Sequence, residues 1–280
     1  MAVDFDVVAA QRDAYARDGV MLIKDAFSDA DLARARDGYD WSMANPGPSA
    51  FDVMKGSPGR FYTDTNHPKA YGAYRAFLEA SPLPRIAAAL WDTTDVWFFF
   101  EQIFVKEGGD TARTPWHQDT SYAPIDGMNI AAFWMSFEPV AKAQALEFIP
   151  GTHHGPLYDG SKLDANDPLA PLYGDGSMPI LPNVDAERDQ WDIVSFATEP
   201  NDLIVFHPSV LHGGAETLAG TSRHTLTFKF FGPDAKVGWR PGAERAKGMA
   251  YNPDAPMEAI RSTLSPGDPF RHPAYPRLSV

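Results

Sequence analysis

The rhythm of polar and apolar positions changes near residue 95 of this 280-residue chain. Ahead of it, apolar residues recur at helical spacing over residues 7–17, 29–43, 68–79 and 83–91, which predicts helices there. Ser28, just before Asp29-Ala30-Asp31, has the form of a helix cap. Its hydroxyl can accept from free amides of the first turn, where acidic side chains also meet the positive end of the helix. Val20-Met21-Leu22-Ile23 interrupts the helical pattern with a short apolar run suited to a strand. Beyond residue 95, runs rich in aromatic and β-branched residues predict strands over 96–105, 129–137, 146–149, 193–196, 203–206 and 225–231. Helices followed by many strands predict an α+β chain. Its core is a double-stranded β-helix, a cupin-like jelly roll, with N-terminal helices flanking it.

A jelly roll of this length is one domain. It divides into a helical part over about 1–95, the core over about 96–235 and an irregular, Pro-rich tail over about 240–280. The tail either wraps the barrel, pairs with another subunit or is partly disordered. Residues 155–188 form a long connection rich in Gly, Pro, Asp and Asn, which is either a lid or binding loop or a tolerated surface insertion.

Composition narrows the function classes. The chain has no cysteine, so disulfides, thiolate metal sites and cysteine nucleophiles are excluded, and nitrogen and oxygen must supply any metal ligands. No apolar run approaches the roughly 20 residues that span a bilayer, and the first residues lack the pattern of a secretory signal, so a cytoplasmic location is expected. A net charge of -13 opposes attraction to nucleic acid or an anionic membrane and favours a small-molecule substrate. It also weighs against an acyl-CoA, since no cluster of Lys and Arg for coenzyme phosphates stands out. Oligomeric state is left open.

The candidate chemistry lies in Thr114-Pro115-Trp116-His117-Gln118-Asp119. On an extended strand, His117 and Asp119 project to the same face. Two imidazoles and one carboxylate hold a non-haem Fe(II) and leave coordination positions open for chemistry, so one more histidine is needed. His207 and His212 both follow the apolar run Leu203-Ile204-Val205-Phe206. His212 is preferred because Gly213-Gly214 after it lets the backbone turn tightly and leaves room beside a metal; His207 is then a strand-end or supporting residue. Arg223 begins a strand-like run eleven residues beyond His212. Strands paired across a Gly-rich turn would return it to the metal, where its planar fork suits the carboxylate of an acidic co-substrate.

These segments resemble the phytanoyl-CoA dioxygenase family of Fe(II)- and 2-oxoglutarate-dependent oxygenases. The resemblance runs from Tyr15-Ala16-Arg17-Asp18-Gly19-Val20 to Phe231. It is carried by Trp116-His117-Gln118-Asp119, Pro150-Gly151-Thr152-His153, His212-Gly213 and Arg223. It implies that His117, Asp119 and His212 hold iron and that Arg223 holds the distal carboxylate of 2-oxoglutarate, with Gln102 and Trp134 as further co-substrate contacts. It implies hydroxylation of a small-molecule metabolite by O2, with release of succinate and carbon dioxide. Desaturation, epimerisation and cyclisation are other outcomes of the same iron chemistry. Related halogenases have a small residue in place of the carboxylate, so Asp119 favours hydroxylation over chlorination. One departure is Ala143-Gln144-Ala145-Leu146-Glu147, where relatives show a small polar or Asn-Gly turn. Competing readings are a non-catalytic metal-binding jelly roll and a cupin-type enzyme without 2-oxoglutarate, whose activity would survive Arg223→Ala. His153, His154 and His224 are assigned to turns, supporting bonds or the surface, and Trp97 to Phe100 to core packing. Trp116, Tyr122 and Trp239 are candidates to line a substrate pocket.

Overall fold

A computed structural model describes residues 3–52, 59–107, 113–163, 167–214, 216–241, 260 and 263–280. The helices are α1 (Phe5–Ala10), α2 (Arg12–Asp18), α3 (Asp29–Ala44), α4 (Ala70–Ala80) and α5 (Leu83–Trp91). The stretch expected as one helix over residues 7–17 is therefore two, because Gln11 takes φ -93° and ψ 1°, off the helical region. Gly19 ends α2 at φ 71°. Only glycine fits there, since a Cβ would lie 2.5 Å from both the His153 ring and Val210. At the start of α3, the Ser28 hydroxyl accepts from the Asp31 amide, and the Asp31 carboxylate accepts from the Ser28 amide. This reciprocal cap satisfies two amides that the helix itself cannot.

Thirteen strands occur among the described residues. The first four are β1 (Val20–Ile23), β2 (Phe51–Asp52), β3 (Arg60–Thr65) and β4 (Trp97–Glu107). Next come β5 (Thr114–His117), β6 (Ile125–Asp126), β7 (Ile130–Ser136), β8 (Leu146–Ile149) and β9 (Val194–Ser195). The chain continues through β10 (Leu203–Phe206), β11 (Leu211–Gly214), β12 (Arg223–Phe231) and β13 (Lys236–Val237). A seven-stranded sheet runs β1-β10-β7-β12-β4-β3-β2, a four-stranded sheet runs β5-β11-β8-β9, and β13 pairs with β6. All these pairings are antiparallel, and the two larger sheets make the expected jelly roll.

The interior strands β7 and β10 of the large sheet are buried on both faces, which explains why they read as nearly continuous apolar runs. Its outer face carries Phe98, Ile103, Phe133, Val205, Leu226 and Phe228 into one core with Tyr74, Phe77, Leu78 and Ile86 of α4 and α5. Phe228 anchors the contact, with its ring centroid 5.2 Å from Tyr74 and 5.3 Å from Phe77. The described part of the tail wraps this sheet. Phe270 and Tyr275 join a cluster with Phe99 and Phe231, and Leu278 donates its amide to the Val96 carbonyl.

Glu101 is an exception on that apolar outer face. It is 2% exposed, and its Oε1 accepts from the His67 amide at 3.1 Å. Burial outweighs that bond and raises its pKa to about 8. An acid raised in the folded state is protonated there while the unfolded chain releases its proton. The stabilisation is thus full below the unfolded value near 4.5 and is lost as pH rises towards about 8. The expected result is a stability loss with a slope of up to about 1.4 kcal/mol per pH unit from this group. Melting temperatures of wild type and Glu101→Gln from pH 5 to 8 check it: the isosteric amide should flatten the fall. Parallel curves would refute it.

Candidate metal centre and its cavity

The Nε2 atom of His117 lies 3.4 Å from Asp119 Oδ1, and Nε2 of His212 lies 3.9 Å from Asp119 Oδ2. One donor atom of each residue falls within 4.8 Å of the others, so the three could hold a single ion. His117 and His212 are direct register partners across β5 and β11, with ring centroids 4.3 Å apart. Each ring places Nδ1 against the carbonyl two residues earlier, Pro115 at 2.8 Å and Val210 at 2.9 Å. A donating Nδ1–H fixes the tautomer with its free lone pair on Nε2, towards Asp119, as a metal ligand requires. Burial, then the neighbouring His117, lowers the His212 pKa to about 3, which keeps that ring neutral and able to coordinate. Burial pushes the Asp119 carboxyl up, but its neighbours, the Lys229 ammonium foremost, outweigh it and hold the group well below the usual carboxylate range. The donor set therefore fits a divalent ion with open positions.

The polypeptide around the three residues is fixed by side chains to which the sequence motifs alone assign no role. Gln118, the middle residue of the motif, is 1% exposed. It donates to the Ser209 carbonyl at 2.7 Å and accepts the Tyr158 amide at 2.8 Å, joining the segments on either side of the site. Thr152 of the Pro-Gly-Thr-His segment donates to the Ile149 carbonyl and accepts the Leu211 amide, which sets the strand position of His212. Arg240 donates to the carbonyls of Thr120 and Ile125, next to Asp119.

Beside the three donors lies a cavity of about 120 Å³ between the two larger sheets. One water needs roughly 10–15 Å³ on this measure, so the space suits a small organic molecule. Register pairing lays out its large-sheet wall in rows. Phe61, Lys106 and Arg223 make one end. Thr63, Phe104 and Thr225 follow, then Thr65, Gln102, Thr227 and Trp134. Phe100, Lys229 and Phe206 make the other end. Lys229 places Nζ 3.0 Å from Asp119 Oδ2. At the opposite end, burial lowers the Arg223 pKa to about 10, and burial followed by Arg223 pulls Lys106 well below its ordinary value.

The structure brings His117, Asp119, His212, Gln102, Trp134 and Arg223 to this one cavity. The local backbone differs from expectation in three ways. Asp119 is not on the strand: β5 ends at His117, and Asp119 opens a 3-10 turn. The shared face survives because Gln118 between them stays extended. Gly213 and Gly214 do not turn either but continue β11. Their missing side chains let β5 approach, since a Cβ on either would meet Thr114 atoms at 3.1 Å. Arg223 consequently reaches the cavity from the opposite sheet, not across a hairpin from β11.

Other candidates sort clearly. His207 caps the end of β10, its Nε2 3.0 Å from the Gly127 carbonyl, apart from the three donors. Of three candidate aromatics, Tyr122 lines the cavity; Trp116 packs with Ile149 and Leu211, and Trp239 is 56% exposed. The atypical segment before the Pro-Gly-Thr-His motif touches the Arg223 end, where Arg223 donates to the Gln144 carbonyl and Glu147 pairs with Arg113 and Arg188. Within 155–188, Leu163 lines the cavity and the Ser161 carbonyl accepts from Tyr122. Among the described residues, no helix is long and apolar enough to cross a membrane.

A family model described as phytanoyl-CoA dioxygenase matches residues 15–225. The peroxisomal phytanoyl-CoA dioxygenase of Bos taurus is 24% identical over 235 residues, 79% of this chain and 67% of that protein. Among solved structures, the non-heme alpha ketoglutarate dependent epimerase SnoN from nogalamycin biosynthesis superposes with a TM-score of 0.69. Identity is 15%, over 99% of this chain and 98% of that one. The carbocyclase SnoK, from the same biosynthesis, also gives 0.69, at 16% identity over 96% of each chain. A second SnoN structure holds Fe3+, alpha ketoglutarate and nogalamycin RO. At these identities the structural likeness concerns the fold.

Proposed function

The chain belongs to the phytanoyl-CoA dioxygenase family, and from that premise we propose that it is an iron- and 2-oxoglutarate-dependent oxygenase that hydroxylates a small-molecule metabolite. The observation that carries this reading is the pair of imidazoles presenting Nε2 to Asp119 at the wall of a cavity that also holds Arg223. His117, Asp119 and His212 are the iron ligands. When bound, the metal supplies the dioxygen chemistry that couples oxidative decarboxylation of 2-oxoglutarate, to succinate and carbon dioxide, with oxidation of the substrate.

The protein's share is binding, orientation and exclusion of water. Arg223 binds the distal carboxylate of 2-oxoglutarate through its planar fork. Gln102 and Trp134, in one register row, contact the co-substrate beside it. Glycine at 213 and 214 keeps β5 and β11 close while adding no bulk beside His212. Phe100, Phe104 and Phe206 give the cavity apolar walls, which strengthen the charge interactions inside it. The 155–188 segment borders the cavity through Leu163, and its Ser161 carbonyl accepts from the Tyr122 hydroxyl. The whole chain works as one domain, and its acidic surface suits a small-molecule partner better than nucleic acid or an anionic membrane.

Purified protein with Fe(II), 2-oxoglutarate and ascorbate is expected to release succinate, and to release none when iron is withheld. Absence of both succinate and 2-oxoglutarate binding would defeat the proposal. An isomerised or cyclised product without added oxygen would instead favour the outcome named for SnoN or SnoK.

A further inference from the structure

Lys229 sits on the inner face of β12, 6% exposed, with its ammonium against Asp119 and 4.7 Å from the Phe100 ring centroid. Holding the Asp119 carboxyl ionised is its one task so far, and for that it adds a charge where charge is expensive. We propose that Lys229 is the specificity-determining residue of this site and recognises a carboxylate on the substrate; this rests on the iron and 2-oxoglutarate reading.

Charge balance carries the argument. With iron and co-substrate bound, the positive charges of Fe(II) and Arg223 are cancelled by Asp119 and the two carboxylates of 2-oxoglutarate. Of the other cations lining the cavity, Arg113 is paired with Glu147, and Lys106 lies beside Arg223, where burial favours its neutral form; at the metal end Lys229 is left over, among Phe100, Phe104, Trp134 and Phe206. A buried charge needs a partner, and an aromatic face at this distance is only a weak one. Asp119 partners it in the free protein, but the same carboxylate is then shared with the metal. A substrate anion restores neutrality at that end.

Position separates this task from co-substrate binding. Arg223 and Lys229 stand at opposite ends of the cavity wall, six residues apart on one strand, which is roughly 20 Å of backbone. The distal carboxylate of 2-oxoglutarate belongs to the Arg223 end, and its other carboxylate is matched by the metal. The Lys229 end, with Phe100 and Tyr122 beside it, fits an acid with an apolar body.

The test is isothermal titration of the anaerobic Fe(II)- and 2-oxoglutarate-loaded protein with 3-phenylpropanoate, 3-phenylpropanamide and 3-phenylpropylamine. Wild type is expected to bind the acid at least tenfold more tightly than the amide, with the amine not detected. Lys229→Met should erase that preference and Lys229→Arg should keep it; Lys229→Gln replaces the Met variant if thermal unfolding shows that it does not fold. Equal binding of acid and amide by wild type, no binding of the acid, or a preference that survives loss of the charge would overturn the proposal. Those results would leave Lys229 as a partner of Asp119 or of the co-substrate alone. Co-substrate loading is read beforehand from the visible band of the Fe(II)–2-oxo acid chelate. A missing band in wild type sinks the oxygenase reading itself, whereas a normal band with no acid preference sinks only the role of Lys229.

Discussion

His117→Ala is expected to abolish succinate formation and to weaken Fe(II) binding more than about 100-fold, the upper range for losing even an outer partner of a metal ligand. The reasoning begins with geometry. His117 is the register partner of His212, and its ring is held by the Pro115 carbonyl with Nε2 towards Asp119. Removing it leaves one imidazole and one carboxylate, and a two-donor set does not define the facial arrangement that leaves neighbouring positions open. The ring also fills the β5–β11 seam beside Tyr122, with centroids 6.0 Å apart, so some stability is lost with it. His117→Gln controls for that by keeping most of the volume. Both variants should lose metal in equilibrium dialysis, and both should remain folded by circular dichroism. Retained iron affinity in folded His117→Ala would exclude this residue from the centre.

Arg223→Ala is expected to raise the KM for 2-oxoglutarate about 100-fold, with a much smaller change in kcat. A two-pronged bond between guanidinium and carboxylate contributes about 3 kcal/mol, from hydrogen bonds to charged groups worth roughly 1.5–3 kcal/mol. Every 1.4 kcal/mol is tenfold in affinity. The loss concerns binding far from the reacting atoms, so it falls on KM. A comparison of co-substrates isolates the contact. 2-Oxobutyrate lacks the distal carboxylate, so wild type and Arg223→Ala should use it almost equally, even though Arg223 also ties the Gln144 carbonyl. An unchanged KM for 2-oxoglutarate in the variant would exclude Arg223 as the partner of the distal carboxylate, and substrate oxidation that needs no 2-oxoglutarate and survives Arg223→Ala would support a cupin-type enzyme.

The chemistry of this chain was more legible than its backbone. The spacing of His117 and Asp119, the later His212 and then Arg223 pointed to the cluster that the fold brings to one cavity, because residue types able to coordinate are written directly in the sequence. The route by which they meet was not, since pairing partners lie far apart along the chain. β11 reads as His-Gly-Gly and lacks the bulky residues that mark a strand; its pairing comes from close approach to Thr114 instead. β3 was missed for a related reason. Its inward residues Phe61, Thr63 and Thr65 face the cavity, and four of its six residues are polar although all but Arg60 are buried. Lys229 went unnoticed because a lone lysine in an aromatic strand resembles an exposed edge residue. Burial appears only when β12 takes its central place between β7 and β4. By contrast, β1, β8 and β10 were found to the residue, as compact apolar runs with clear boundaries.

The pairing of β5 with β11 also sets when the metal can matter in the life of the molecule. His117 and His212 meet only after the long chain between them has folded back, and contacts of such high sequence separation form late. Iron therefore has no complete set of donors to seize in a partly folded chain, and it cannot serve as the seed of the fold. Its stabilisation, about 2.7 kcal/mol at a hundred times its dissociation constant, comes once the sheets have closed. An interaction absent from the folding barrier slows escape from the native state and leaves its formation rate unchanged. Metal should thus act on this protein as a latch, lengthening the lifetime of the folded chain without hastening its assembly.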